Sequence, residues 1–263
     1  TNGLSDVQII DIDYHTPTQT LIIVYRNGNI DLLRGNTILN YSDILRKQIV
    51  GFKAVNKLEI ENDYALISTT FGLVVFDLNK LEVKETYSSL SNTGEPLSVT
   101  GTTLLNDTLF LATNNGIIKG DFSGATNLLD FNNWFNISAN NAAKSIVSQN
   151  NKLVVLWQDS TVSRYENNTW NTLNQFEGAT KLLKSNTSLF FLIQNKIVES
   201  DNNDTITPLD FINGNVEDLI KTEESYWVAN NNFGLQKLSN QIQENYTPNG
   251  PLNSAIFDIK YTN

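Results

Sequence analysis

Imidazole and thiol groups, which serve acid–base and metal chemistry near neutral pH, are nearly missing from this chain. His15 is the only histidine, and cysteine is absent. A hydrolytic triad or imidazole relay needs a positioned base. His15 precedes Thr16-Pro17, a turn sequence, so a plain turn residue is expected there. One histidine and no cysteine argue against a zinc site. Asp201-Asn202-Asn203-Asp204 offers oxygen ligands but lacks the Asp-x-Asp-x-Asp-Gly spacing of a calcium loop, and reads as a solvated hairpin turn. Asp11 with Asp13, and Glu59 with Glu61, alternate along strands and share a face. Such pairs suit general-acid work, but a polar strand face is the preferred reading. No catalytic residue, metal site or cofactor is therefore expected, and the chain is expected not to be an enzyme.

One basic cluster remains: Arg46, Lys47, Lys53 and Lys57. Cations near a loop can hold the phosphate or carboxylate groups of a glycan; they also serve to balance charge on an acidic surface. Trp134, Trp157, Trp170 and Trp227 have rings able to stack on sugars, although packing between strands accounts for most of them.

Strands must position these side chains. The stretch DYALISTTFGLVVFD, residues 63–77, reads as strand, tight turn, strand. Tyr64, Leu66 and Ser68 alternate with Ala65, Ile67 and Thr69, the period of two that a strand requires. Gly72 supplies the positive φ of the turn, and Leu73 to Phe76 form an apolar run suited to burial on both faces. The pattern recurs at Gly28, Gly116 and Gly234, and without glycine at Asp159 and Asn195; Asp and Asn tolerate the left-handed conformation. Successive turns are 44, 44, 43, 36 and 39 residues apart. A drifting period near 40 with four short strands per unit is the mark of an all-β propeller.

Six such units are expected, with the hairpins as the inner blade strands around one axis, and residues 42–47 (SDILRK) should form a helical turn with Ser42 as its cap. The ending NGPLNSAIFDIKYTN resembles the beginning NGLSDVQIIDIDY, which predicts the first strand of a seventh blade, placed close to the first. Residues 1–263 are thus expected to form a single propeller domain, an excised or incomplete part of a longer multidomain protein, with seven blades when intact; six-bladed closure, with the last strand added to an existing sheet, is the alternative. The chain contains no methionine, in keeping with a processed piece.

Hydrophobic residues make up 40% of the 263, enough for a packed core, and the net charge of -10 argues against a nucleic-acid partner. No apolar run approaches a membrane span, so no membrane insertion of this chain is expected. A large repeat fold needs no disulfides, so the missing cysteines are compatible with export.

Residues 41–87, YSDILRKQIVGFKAVNKLEIENDYALISTTFGLVVFDLNKLEVKETY, resemble the first propeller of the PorZ family, surface components of the type IX (Por) secretion system of Bacteroidetes. The specific parts are SDILRK, the Lys53-x-x-Asn56 step and STTFGLVVFDLNKLEVKETY. The likeness extends more weakly from NGLSD through DTLFLATNNGI to NGPLNS. Sensor propellers of hybrid two-component regulators are also similar, but their strands end in Trp-Ile-Gly-Thr before each turn glycine. This chain has VYRNG, STTFG, ATNNG and ANNNFG there. The PorZ resemblance implies a non-catalytic role in export at the outer membrane surface, with the periplasm as the alternative. It implies partners such as the surface sortase and anionic lipopolysaccharide. The competing reading is an extracellular ligand-sensing propeller. The family resemblance assigns no ligand contact to particular residues.

Overall fold

The computed structural model describes residues 3–49, 51–138, 141–185, 188–212, 215–223, 225–230, 233–239 and 243–246. They form six four-stranded antiparallel sheets, each joined in chain order. The first holds β1 (Ile9–His15), β2 (Thr20–Tyr25), β3 (Ile30–Arg34) and β4 (Thr37–Tyr41). A helical turn, α1 (Asp43–Arg46), leads to β5 (Val55–Glu61), β6 (Tyr64–Thr69), β7 (Gly72–Asp77) and β8 (Glu82–Tyr87). The third sheet contains β9 (Val99–Leu105), β10 (Thr108–Thr113), β11 (Gly116–Asp121) and β12 (Phe135–Ser138). The fourth contains β13 (Ala143–Gln149), β14 (Lys152–Trp157), β15 (Val162–Glu166) and β16 (Thr169–Thr172). The fifth contains β17 (Ala179–Ser185), β18 (Ser188–Ile193), β19 (Lys196–Ser200) and β20 (Ile206–Pro208). The sixth contains β21 (Val216–Lys221), β22 (Tyr226–Asn230), β23 (Gly234–Leu238) and β24 (Gln243–Tyr246). These sheets are the blades of a β-propeller, as the repeat predicts. The expected strand over 255–263 lies outside the described residues. Two compact units divide between Leu182 and Leu183, within β17.

The repeated hairpins are the middle strands of each sheet: β6 pairs with β7 from Thr69↔Gly72 to Tyr64↔Asp77, and β10 with β11 from Thr113↔Gly116. Gly72 and Gly116 have φ of 129° and 105°, and a Cβ on either would strike the carbonyl oxygen of Tyr87 or Ser138. Thr69 and Thr113 lock the same turns, each hydroxyl donating to the glycine carbonyl at 2.8 Å. In the β14–β15 turn of the fourth sheet the left-handed residue is Ser160, not Asp159; Asp159 instead accepts the backbone N–H and hydroxyl of Thr161. Asn195 adopts the positive φ expected of it. Left-handed pairs at Asn106-Asp107, Asn150-Asn151 and Asn167-Asn168 make other hairpin turns, since type I′ turns need two such residues.

The sequence marks these hairpins because a central strand is buried on both faces. Leu66, Ile67, Leu73, Val74 and Val75 are fully buried, each stabilising the fold by about 1.5–3 kcal/mol. Alternation in β6 is consequently weaker than the sequence suggests, for every residue from Ala65 to Thr69 is buried. Within the first compact unit, the innermost position belongs to the first strand of each sheet rather than to the hairpins. There Asp11 accepts the Leu58 N–H at 3.1 Å and Asp13 the Ile60 N–H at 3.2 Å. Asn56 donates to the Val99 carbonyl at 2.6 Å, and Thr100 to that of Ala143 at 2.8 Å.

The amino-terminal residues are fixed by a buried carboxylate. Asp31 accepts the Ser5 N–H and the Tyr25 hydroxyl, both at 2.7 Å, and the Asn40 amide at 2.8 Å. Burial alone would raise its pKa, but these donors outweigh it and hold the carboxyl below its usual value. Burial and the Asp31 carboxylate push the Tyr25 phenol up to about 12. In the third sheet, the segment before β12 folds Trp134 onto Gly120, whose missing side chain makes room for the indole. The Trp134 Nε1–H donates to the Leu128 carbonyl at 2.9 Å.

Candidate functional site

Three of the four expected cations meet at α1. Ile44 is buried against the first two sheets and seats the turn there. Ser42 stands at the N-cap without a side-chain bond, so the expected cap is not made. The order comes from the other end. Lys53 Nζ donates to the carbonyls of Ile44 at 3.2 Å, Lys47 at 3.0 Å and Leu45. These carbonyls carry the negative end of the turn's dipole. Arg46 pairs with Asp43 at 3.2 Å, both exposed, and Lys47 is exposed beside them. An exposed pair of this kind contributes about 0–1 kcal/mol, so an incoming phosphate can take the guanidinium over. Lys57 sits on β5 opposite Ser68, and no contact joins it to the other three among the described residues. Sequence reasoning missed Phe52, which precedes Lys53 and is 71% exposed. Its signal was an aromatic between a glycine and a lysine, in a loop rather than a strand.

The carboxylate pairs do structural work. Asp11 and Asp13 share a face as expected, and that face supplies acceptors to the backbone of β5. Glu61 repeats the device one sheet on, accepting from the Leu104 N–H at 3.3 Å. His15 departs from expectation. It ends β1 and is only 2% exposed, with Nδ1 at 2.8 Å from the Thr18 hydroxyl and Nε2 at 3.6 Å from Asp63. The turn begins one residue later than the sequence suggests, and β1 carries the ring inside. Asp201 makes the expected turn, accepting the N–H groups of Asn203 and Thr205 at 2.8 Å. Among the described residues, no three metal-ligating side chains are grouped. Trp157 and Trp170 lie against each other with ring centres 5.4 Å apart, which is packing between strands.

A second group of side chains, unforeseen from sequence, lies in the carboxy-terminal unit. Glu199 is 5% exposed and accepts from the Ser188 hydroxyl at 2.6 Å, the Tyr226 hydroxyl at 2.8 Å and the Lys221 ammonium. Desolvation would raise the Glu199 carboxyl, but its donors, Lys221 foremost, bring it below the usual value. Burial and the same carboxylate raise the Tyr226 phenol. The ring of Tyr226 so fixed forms one wall of an open cavity of about 380 Å³. Among the described residues, Thr207, Pro208, Leu209, Asp210, Phe211 and Ser239 also line it. Nothing local in the sequence links Phe211 to Tyr226, because the cavity forms only when the fifth and sixth sheets pack.

The family description "TSS9, PorZ, N-terminal beta-propeller domain" matches residues 1–135, just over half of the chain. The chain belongs to the PorZ N-terminal β-propeller family. The matched residues contain α1, all four cations and the Asp11 and Asp13 bonds. No curated protein matches the chain in sequence.

Solved structures agree on the fold. PorZ of Porphyromonas gingivalis, described as an essential bacterial surface component of the type-IX secretion system, superposes with a TM-score of 0.80 at 21% identity. That alignment covers 99% of this chain and 35% of that one, so this chain spans about a third of the length of the PorZ structure. The extracellular domain of a hybrid two-component system from B. thetaiotaomicron gives a TM-score of 0.66 at 13% identity, over 91% of this chain and 34% of that one. The WD40 domain of Neurospora crassa Pan2 gives 0.65 at 10%, over 92% and 80%. At these identities the likenesses show the propeller fold alone. The family match over residues 1–135 is what separates the PorZ propeller from the others. No helix among its described residues is long and apolar enough to cross a membrane.

Proposed function

We propose that this propeller is a non-catalytic, cell-surface component of a type IX secretion system, exported to the outer membrane, where it binds the surface sortase and anionic lipopolysaccharide. Membership of the PorZ N-terminal propeller family carries the reading. Residues 1–263 act as one propeller domain within a longer multidomain protein.

The anionic ligand is received at Arg46, Lys47 and Lys53, the three cations that meet at α1, with Lys57 on β5 as an outlying fourth. The net charge of -10 opposes a polyanion at long range, so attraction has to be local. Screening over roughly 10 Å at moderate salt then makes several convergent cations necessary. Lys53 draws its charge to the end of α1, beside Arg46 and Lys47. Exposed Phe52 adds an apolar contact suited to the acyl or sugar part of an amphiphile. His15 is buried and Asp11 and Asp13 are bonded to the backbone of β5, which supports a non-catalytic reading, and the purified chain is expected not to cleave peptides, esters or polysaccharides.

The test is binding of anionic lipopolysaccharide to the wild type and to an Arg46→Ala, Lys47→Ala, Lys57→Ala variant, which keeps the Lys53 cap. Affinity is expected to fall with the substitutions and with added salt. Equal affinity in a folded variant would remove the patch as the site. The structural likeness to two-component sensors supports a second reading, a ligand-sensing receptor domain. The parent gene decides between them: a second propeller and a sorting domain fit secretion, a membrane span and kinase fit sensing.

A further inference from the structure

The open cavity of the carboxy-terminal unit has the chemistry of a binding site. Its lining is mixed: the rings of Phe211 and Tyr226, with Pro208 and Leu209, against the hydroxyls of Thr207 and Ser239 and the carboxylate of Asp210. The two rings lie 5.6 Å apart at 55°, so they form a wedge and not a closed stack. Tyr226 is held from behind by Glu199. Leu209 is buried and gives the wedge a firm base.

Among the described residues, the charged groups at the cavity stand in pairs. Lys196 stands 3.7 Å from Asp210, Lys221 is paired to Glu199, and the Lys221 ammonium lies 5.8 Å from the Tyr226 ring. A cationic ligand would compete with these lysines for both the carboxylates and the ring face. An anionic ligand would meet Asp210. A neutral occupant with one apolar face and several hydroxyls meets neither obstacle. A volume of about 380 Å³ admits one or two sugar rings.

We propose that this cavity binds a neutral sugar ring, its C–H face against Phe211 and Tyr226 and its hydroxyls toward Asp210 and Thr207. The site is separate from the basic patch, and its occupant differs in charge from the polyanion proposed there. It does not depend on the secretion role.

Saturation-transfer NMR and calorimetry on the full chain test it with methyl mannopyranoside, methyl galactopyranoside and methyl N-acetylglucosaminide. Glucuronate and a neutral leucine-containing tetrapeptide serve as comparisons. At least one neutral glycoside is expected to bind at millimolar strength, with glucuronate weaker. Phe211→Ala should weaken it about tenfold, the loss expected when one stacking face is removed. Phe211 also supports the local core, so Asp210→Asn, at an exposed position, provides a second readout, with a threefold or greater loss expected. Binding by none of the glycosides would overturn the proposal. So would glycoside binding unmoved by Asp210→Asn, or tetrapeptide binding tighter than that of every sugar.

Discussion

The carboxylate of Asp11 on β1 holds the backbone N–H of Leu58 on β5 at 3.1 Å, 47 residues further along the chain. Asp13 does the same for Ile60. On an edge strand, every second N–H points away from its own sheet and needs a partner. The chain meets that need with carboxylates spaced two apart, so a strand face legible as acidic becomes the join between two blades. Replacing both with alanine should lower stability by about 1–3 kcal/mol per site. Urea denaturation reads this as a lower midpoint with an unchanged slope. An unchanged midpoint would show that water replaces the carboxylates without loss.

Gly72 tests the repeat itself. An alanine there combines a left-handed backbone with a clash against the Tyr87 carbonyl. A loss of about 2–3 kcal/mol is expected. Gly3→Ala is the control, because nothing lies within 4 Å of an added Cβ. Equal thermal midpoints for the two variants would contradict the turn geometry.

Glu199 should give the carboxy-terminal unit a signature in acid. Its folded pKa lies below the ordinary glutamate value of 4.5. Its contribution is therefore fully present above that value and is lost as pH falls through the lower, folded one. The stability gap between wild type and Glu199→Gln should be constant from neutral pH down to about 5 and shrink below the ordinary value. A gap that widens on acidification would mean that the carboxyl is raised instead.

Local pattern carried most of the fold into the sequence. Gly72 and Gly116 announce their turns because only glycine fits beside the neighbouring carbonyl, and the apolar runs after them announce central strands. What depended on distant partners stayed hidden. Asp11 and Asp13 were visible as a face, but their acceptor role needs β5 alongside. His15 sits in a turn-like sequence, and its burial depends on Thr18 and on the neighbouring blade near Asp63. Lys53 looked like one of four equivalent cations until the carbonyls of α1 came within its reach. The cavity at Phe211 and Tyr226 left no mark, since its walls come from different sheets.

The secretion role itself is tested most directly in a bacterium that carries this protein and a type IX system. Residues 1–263 would be replaced, within the parent protein, by the Arg46→Ala, Lys47→Ala, Lys57→Ala propeller, and separately by an unrelated propeller of similar size. Surface levels of the parent are checked by immunoblotting, and the measurement is the fraction of sorted cargo exported and attached at the surface. The secretion role requires normal parent levels, with cargo attachment strongly reduced by the patch variant and abolished by the unrelated propeller. Cargo exported and attached as in the wild type with the unrelated propeller in place would contradict it.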